Sequence, residues 1–548
     1  MCYIRCSHSR INFLKIVLNF TVSFLEELRL YMKSFYKGNF TLGSRMFLIG
    51  IALIYLIAFS SLWLQIEGLF GSEGIMPFER YFEHFSNQDT PVSYILHNPS
   101  LLWLDHFLKL GDSFLHILCG MGSLLSIMAL FNYWRGYSLF LCWLLYLSLV
   151  VLGSPFLSFQ WDNLLLESGF LAMWLAGFKR WDQKPSPYIL FTVYLLLFRL
   201  MFFSGYVKLA SNDPVWWNLT ALSLHFETQP LPHVLGWYFH QIPPIVLKIA
   251  TALMFLIELV VPFFIFMGRR LRHSAGILFM ALMLIIILSG NYTFFNFLTA
   301  VLCLSLFDNE FYRRWLVVLP MRFLKKGNLS LSGKTWDIIQ KVICLIMVML
   351  AIITEGRRFL PISQYPVVSN INSLVQPFRS VNTYGLFANM TTTRPEVIFE
   401  ISADGDSWQE LQFKWKPVAL DARPRFVQPH QPRLDWQLWF AGLFYERILE
   451  LFWQKNGRAP ESYNEIHRFI YQRYRQVYSR HLWVHNFMER ILNKSPAVLK
   501  LTAHENWTEK PFYLRAWLFD YNFTRIGENT WWQRKNKRLL FPEIGNSK

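Results

Sequence analysis

The sequence predicts a polytopic α-helical membrane protein of about nine spans (eight to ten), followed by a C-terminal soluble α+β domain containing a β-hairpin or small sheet. Three observations predict it. Of 548 residues, 53% are hydrophobic and only 16% charged, where a soluble chain carries about 25% charge. Runs such as "MFLIGIALIYLIAFSSLWLQI" (46–66) and "ILFMALMLIIILSG" (277–290) approach or reach the roughly 20 apolar residues that cross a bilayer. Beyond residue 356 the apolar runs give way to alternating and proline-punctuated sequence.

The spans are placed near 46–66, 113–131, 137–154, 162–178, 188–208, 246–267, 271–289, 294–307 and 336–354. The fourth and eighth are short enough to be re-entrant or tilted. Basic residues orient them, because cytoplasmic connections carry the Lys and Arg excess. The first group is Arg5, Arg10, Lys15, Arg29, Lys33, Lys37 and Arg45; then come Arg135, and Lys179, Arg180 and Lys184. Arg269, Arg270 and Arg272 follow, and last Arg313, Arg314, Arg322, Lys325, Lys326 and Lys334. These fall on alternate connections. The segment 67–112 has only Arg80 and Lys109 against seven acids, as an exported loop does. The expected regions are a cytoplasmic basic arm (1–45), a transmembrane domain (46–355) and an exported domain (356–548). The net charge of +17 is distributed between spans, which argues against nucleic acid as a partner and for membrane lipid.

Residues 11–25 are apolar but interrupted by Lys15, with no small-x-small site after them, so they read as an interfacial amphipathic helix rather than a cleavable signal. Cys2 and Cys6 lie in the arm, and Cys119, Cys142, Cys303 and Cys344 lie in or beside spans. The C-terminal domain therefore does not rely on disulfides. Within it, "EVIFEISADGDSWQELQFKWKP" (396–417) reads as a hairpin: Val397, Phe399 and Ile401 alternate with polar partners, Asp404-Gly405 turns, and Leu411, Phe413 and Trp415 alternate again. A helix is expected from Trp436 and another over 462–493.

Ionisable groups inside spans are costly and mark protein interior or watery cavity. Asp162 begins the fourth span, where an acid caps backbone N–H groups at the positive helix end; Gln160 and Trp161 then belong to the interface. Glu167 lies a turn deeper and needs a partner, with Arg199 or Lys208 as candidates. An offset of five residues sets Asp162 and Glu167 about 140° apart on a helix, so they do not form one acid/base pair. Lys208 either snorkels to the exported surface or is a buried amine able to act as a base. Glu258 is a further intramembrane carboxylate, a possible mate for Arg199, and Asn291 and Asn296 are placed as caps of the seventh and eighth spans. The loop 211–244 clusters His225, Glu227, Thr228 and Gln229, with His233 and His240 nearby. Histidine spacings of eight and seven match no metal-ligand pattern, so no metal is expected. No Walker loop, dinucleotide fingerprint, nucleophile elbow or zincin helix is present, and no cofactor is expected.

"FLSFQWDNLLLESGFLA", "LFRLMFFSGYVKL", "LHFETQPLP", "IELVVPFFIFMGRR", "SGNYTFFNFLT", "VNTYGLFANMT" and "PRLDWQLWFAGL" together resemble successive motifs of the lipase maturation factor family, from about residue 45 to the "WWQRKNKRLLFP" tail. The resemblance implies a multi-span membrane chaperone of the secretory pathway, assisting folding and assembly of secreted lipases, with its C-terminal domain facing the lumen. It adds Arg433, Asp435 and Trp436 to the motif residues. Animal members of the family have cysteines in the segments matching "QFKWKP" and "RPRFV". Here those segments hold Trp415 and Arg425 and no cysteine, which favours a bacterial member, with cytoplasmic membrane and periplasm in place of the endoplasmic reticulum and its lumen.

"SGYVKL" also echoes the membrane part of vitamin K-dependent carboxylases, which implies an alternative enzyme reading with Lys208 as base and Glu227 or His225 assisting. Under the maturation reading, Trp216, Trp217, Trp237, Tyr238, Trp408, Trp436 and Trp439 are expected to present aromatic surface to folding clients, and the intramembrane charges to hold the bundle together.

Overall fold

The computed structural model describes residues 39–80, 95, 97–179, 184–315, 333–361, 365–458, 460–473, 475–504 and 513–545. The expected helix over 11–25, and Arg322, Lys325 and Lys326 of the last basic loop, lie outside the described residues.

Nine helices coincide with the nine expected spans: α1 (Thr41–Trp63), α2 (Asp112–Leu130), α3 (Arg135–Leu152), α4 (Gln160–Ala176), α5 (Pro187–Ala210), α7 (Pro244–Leu259), α8 (Arg269–Ser289), α9 (Phe295–Leu304) and α10 (Lys334–Gly356). Between α5 and α7 lies α6 (Ala221–Thr228). Six of the nine are long and apolar enough to cross a membrane: α1, α2, α5, α7 with its continuation to Phe264, α8 and α10. The other three are shorter. The ten residues of α9 rise about 15 Å, half of the ~30 Å hydrocarbon core. Proline opens α5 and α7, where its fixed φ suits the first helical turn and its missing N–H costs nothing. Gly169 lets α4 approach α1, since a Cβ there would lie 1.9 Å from the Tyr55 hydroxyl.

The bundle has two distinct ends. At one, the Asn309 carbonyl oxygen of the side chain accepts from Leu42 N (2.8 Å), Arg269 meets Asp308 (2.5 Å), and Trp174 stacks on Trp336. At the other, Gln65 donates to the Gln431 carbonyl (2.7 Å), Asn291 to that of Arg425 (2.8 Å) and Trp216 to that of Phe387 (2.9 Å). The second end is where the C-terminal part sits.

After α10 comes the short amphipathic helix α11 (Pro366–Val375), none of whose residues is buried. The C-terminal part then forms an antiparallel sheet in the order β2-β1-β3-β4, from β1 (Pro395–Ser402), β2 (Gln409–Glu410), β3 (Tyr513–Phe523) and β4 (Trp532–Gly545). The expected hairpin is present: Gly405 turns at φ 88°, and the Asp404 side chain accepts from the N–H groups of Asp406 and Ser407. Its return arm is only two residues long, however. Phe413 makes one isolated bridge to Thr502, and Trp415 lies outside any strand. The long partner of β1 is β3, in register from Pro395 opposite Asp520 to Ser402 opposite Tyr513. Nor does β1 have a wet face. All eight residues are buried, because α12 (Arg433–Asn456) crosses it with Gly442 against the Pro395 carbonyl, and Phe487 packs on Phe399. The helix expected over 462–493 is two, α13 (Tyr463–Arg473) and α14 (Arg475–Leu492). One continuous set of buried apolar side chains runs from α1 to β4, so bundle and sheet share a core.

Candidate functional site

The polar residues singled out above converge on the seam between bundle and sheet. Asp162 is not a cap. Phe159 occupies the cap of α4, and Asp162, in the first turn, turns instead to Arg433 at the start of α12. Both guanidinium ends engage it, Nη2 to Oδ1 at 2.9 Å and Nη1 to Oδ2 at 3.1 Å, while the Tyr146 hydroxyl donates to Oδ1 at 2.5 Å. Arg433 Nη1 also donates to the Phe156 carbonyl (2.6 Å). Gln160 and Trp161 are seam residues as well. Gln160 exchanges bonds with the backbone of Gly385, and Trp161 Nε1 donates to Gln431 Oε1 (2.7 Å).

Glu167 pairs with Arg199 at 2.7 Å, as one of the two expected alternatives had it. Its other oxygen accepts from Asn382 N (2.8 Å) and the Tyr384 hydroxyl (2.7 Å), so the "VNTYG" segment closes over the pair. Arg199 also reaches Glu355 at the end of α10 (3.4 Å), and Glu355 is shared with Arg358 (2.7 Å). Glu258 is therefore not the mate of Arg199. Its two oxygens hold the Lys208 ammonium at 2.5 and 2.8 Å, with the Trp216 ring alongside. Lys208 is buried and does not snorkel: α7 supplies a carboxylate at its depth, so the side chain has no need to reach water.

The loop 211–244 is gripped rather than free. Arg394 donates to the carbonyls of Glu227 (2.8 Å), Gln229 and Pro230 (3.0 Å) and pairs with Glu396 (2.6 Å), which Lys416 also meets at 2.7 Å. Glu227 accepts from Phe523 N in β3 (3.0 Å), Trp439 donates to the Thr228 carbonyl (2.8 Å), and Gln229 donates to the Ser289 carbonyl (3.0 Å). His225 shares a hydrogen bond of 2.7 Å with the Tyr292 hydroxyl, and burial, helped by Lys208, pulls its pKa down to about 4. It is a neutral ring. Asn291 donates to Leu231 and Arg425 carbonyls and accepts from Val427 N, joining three segments instead of capping a span; Asn296 is buried within α9, again not at a cap. Asp435 accepts from the N–H groups of Trp415 (3.0 Å) and Lys416 (2.9 Å), and burial raises its pKa to about 6. Trp436 packs edge-on against Trp161 at 5.0 Å.

Of the aromatics expected on the surface, Trp217 and Tyr238 are exposed and Trp408 is half-buried. Trp216, Trp237, Trp436 and Trp439 are instead buried where the loop and α12 meet the sheet and bundle. Among the described residues no group of three side chains is placed to hold a metal. Sequence reasoning missed Tyr146, Glu355, Asn382, Tyr384, Arg394, Glu396 and Lys416. The available signal was charge balance: each intramembrane ion requires a partner of opposite sign.

Both sides of this seam coincide with known family models. Residues 42–314 match the lipase maturation factor transmembrane domain, and residues 380–455 the lipase maturation factor C-terminal domain. Over 92% of its length the chain is 32% identical to lipase maturation factor 2 of Xenopus tropicalis, covering 83% of that protein. It is 33% identical to lipase maturation factor 2 of Gallus gallus over 91% of its length and 81% of the relative's. Against lipase maturation factor 1 of Homo sapiens the figure is 28%, over 93% and 89%. The chain belongs to the lipase maturation factor family. No solved structure matches it. In this maturation factor, Asp162, Glu167, Arg199, Lys208 and Glu258 come from the segment matched to the family's transmembrane domain, and Asn382, Tyr384, Arg394, Arg433 and Asp435 from that matched to its C-terminal domain. The Asp162–Arg433 ion pair thus joins the family's two parts directly, and the hydrogen bonds of Asn382 and Tyr384 to Glu167 join them again.

Proposed function

We propose that this protein is a membrane-embedded maturation factor, a chaperone that assists folding and assembly of secreted lipases or other exported proteins. The observation that carries the reading is identity of about 30% to lipase maturation factors across nine-tenths of the chain, on both sides of the seam. The proposed topology is nine crossings, with the N-terminus cytoplasmic and the C-terminal domain exported, in a bacterial cytoplasmic membrane. It is supported by Arg45, Arg269, Arg272 and Arg313 grouping at the bundle end opposite the sheet. Clients would meet the exported side, where Phe426, Trp453 and Ile526 leave apolar surface exposed. The motif residues Gln160 to Trp436 then serve to hold that surface at a fixed height above the membrane. The carboxylase-like alternative is not favoured, since Glu258 holds the Lys208 amine as an ion pair.

The test is the specific activity per molecule of secreted lipases in a native host lacking the gene. The expected result is secreted but poorly active lipase, restored by the wild-type gene. Unchanged specific activity on deletion would remove lipase maturation as the role of this protein.

A further inference from the structure

Beside the Glu167–Arg199–Glu355 network lies a cavity of about 580 Å³. One wall is a single face of α10, with Leu350, Ile353 and Thr354 at helical spacing and Arg357 at its C-terminal cap; the opposite wall comes from α11 and the turn after it, ending in Arg379. The lining is mostly polar, with Leu350 and Ile353 as an apolar strip along the helix and arginines at the mouth.

The cationic mouth is short of anions. Arg357, Arg358 and Arg379 line it, and among the described residues no acid does. Behind it, Glu355 is already divided between Arg199 and Arg358, and Glu167 serves Arg199. Four guanidiniums thus meet two carboxylates, leaving two positive charges. Arg379 carries much of that surplus. It is half-buried, makes no ion pair among the described residues, and its Nε is shielded from solvent without a hydrogen-bond partner. Its backbone is held in the left-handed region, φ 50°, which a residue with a Cβ adopts at a cost. Burying a guanidinium without a carboxylate is unfavourable, and burial pulls the Arg379 pKa below the usual arginine range.

Position points to the source of the missing anion. Arg357 and Arg358 stand immediately past the end of an apolar helix and Arg379 follows α11, with exposed Phe359, Leu360, Val367 and Leu374 between them. Such a segment lies in the headgroup layer of a bilayer. We infer that this cavity, closed by Arg357, Arg358 and Arg379, binds the phosphodiester headgroup of a membrane phospholipid, with an acyl chain along Leu350 and Ile353. Arginine suits the role because its planar fork donates to two phosphate oxygens at once. A lipid so held would brace α10 against the turn that carries Asn382 and Tyr384.

The full chain, purified in detergent, is titrated with phosphatidylglycerol, with diacylglycerol of the same acyl chains, and with inorganic phosphate. Native mass spectrometry reads bound lipid, and thermal unfolding reads stabilisation. Wild type is expected to retain one phosphatidylglycerol and to melt higher with it. Arg379→Gln should retain it about tenfold more weakly, the effect of losing one charge-assisted contact. Arg357→Gln, on the exposed rim, should show the same trend, and it carries the test if Arg379→Gln fails to give a monodisperse protein. Equal retention by the variants and wild type overturns the site. Equal stabilisation by diacylglycerol overturns the role of the phosphate, and equal stabilisation by inorganic phosphate overturns the lipid as its source.

Discussion

Arg433 and Arg199 are both buried, both answer a carboxylate on α4, and both reach across the seam, Arg433 to Asp162 and Arg199 to the Asn382 carbonyl, yet they are compensated differently. Arg433 meets one acid, Asp162, through both ends of its fork, and the remaining acceptors are Tyr146 and a backbone carbonyl. Charge is balanced within that closed unit. Arg199 is shared between Glu167 and Glu355, and Glu355 passes on to Arg358 at the edge of a cavity. The first is a clasp with no spare part, the second a chain with redundancy and an open end. The physical consequence is unequal sensitivity: removing one member strands a buried charge in the clasp, whereas the chain can redistribute it.

Breaking the clasp should therefore have the largest effect. In Asp162→Ala, Arg433 remains buried with no counter-charge, a situation that costs ~3–5 kcal/mol. The expected outcome is a collapse of membrane abundance and a marked drop in the detergent melting temperature. Asp162→Asn, which retains hydrogen bonding without the charge, should fall between. A melting temperature unchanged in Asp162→Ala would show that Arg433 finds another partner and that the clasp reading is wrong.

The helical framework was readable from hydropathy because a span needs only local composition, and each of the nine expected segments is a helix. The partners across the seam were not readable, since Asp162 and Arg433 are 271 residues apart and no periodicity links them. What sequence supplied was the demand for a partner; topology supplied which one, and so Glu258 went to Lys208 instead of Arg199. The hairpin is present, but its two faces were misleading for a related reason. Glu396 and Glu400 read as a solvent face, but Glu396 is buried with Arg394 and Lys416, and Glu400 with Arg515 and Trp517, so the alternation recorded two kinds of interior. The strand that completes the sheet comes from the tail, where basic residues in "QRKNKR" masked its pattern.

Asp435 sharpens the comparison as a buried acid on the same helix as Arg433 that accepts from two backbone N–H groups instead of pairing with an arginine. Its pKa rises from 3.8 to about 6, with burial the largest cause. The native state thus binds the proton more tightly than the unfolded chain. The associated stability is present below about pH 4 and is lost as pH rises towards 6, and at ~1.4 kcal/mol per unit this amounts to about 3 kcal/mol. Asp435→Asn cannot ionise, while its Oδ1 can still accept both bonds. Its melting temperature should be flatter than wild type between pH 4 and 6, and parallel curves for the two proteins would count against the assignment.

Cutting one link of the chain should cost less than opening the clasp. In Glu167→Gln, Arg199 retains Glu355, and the amide oxygen can still accept from Tyr384 or Asn382, so about 1.5–3 kcal/mol is expected, the range for a charged hydrogen bond. Adding Glu355→Gln to it should be worse than the sum of the two single variants, because the second substitution removes the remaining counter-charge. Additive losses in a double-mutant cycle would show that the two acids act independently and that no redundancy exists.

The smallest effect is expected at Lys208, where structure and alternative chemistry diverge. Lys208→Arg preserves the positive charge beside Glu258 and Trp216, and a guanidinium pairs with a carboxylate at least as well as an ammonium does. The cost is a repacking of a larger head in a buried site, roughly 1 kcal/mol. Arginine does not give up its proton at working pH, so a base at this position would be abolished by the same change. A variant with near-normal abundance and full rescue of lipase specific activity identifies Lys208 as a fastener of α5 to α7. Normal abundance with no rescue would mean that the Glu258 pair must open during function, and would return Lys208 to the chemistry that this ion pair now argues against.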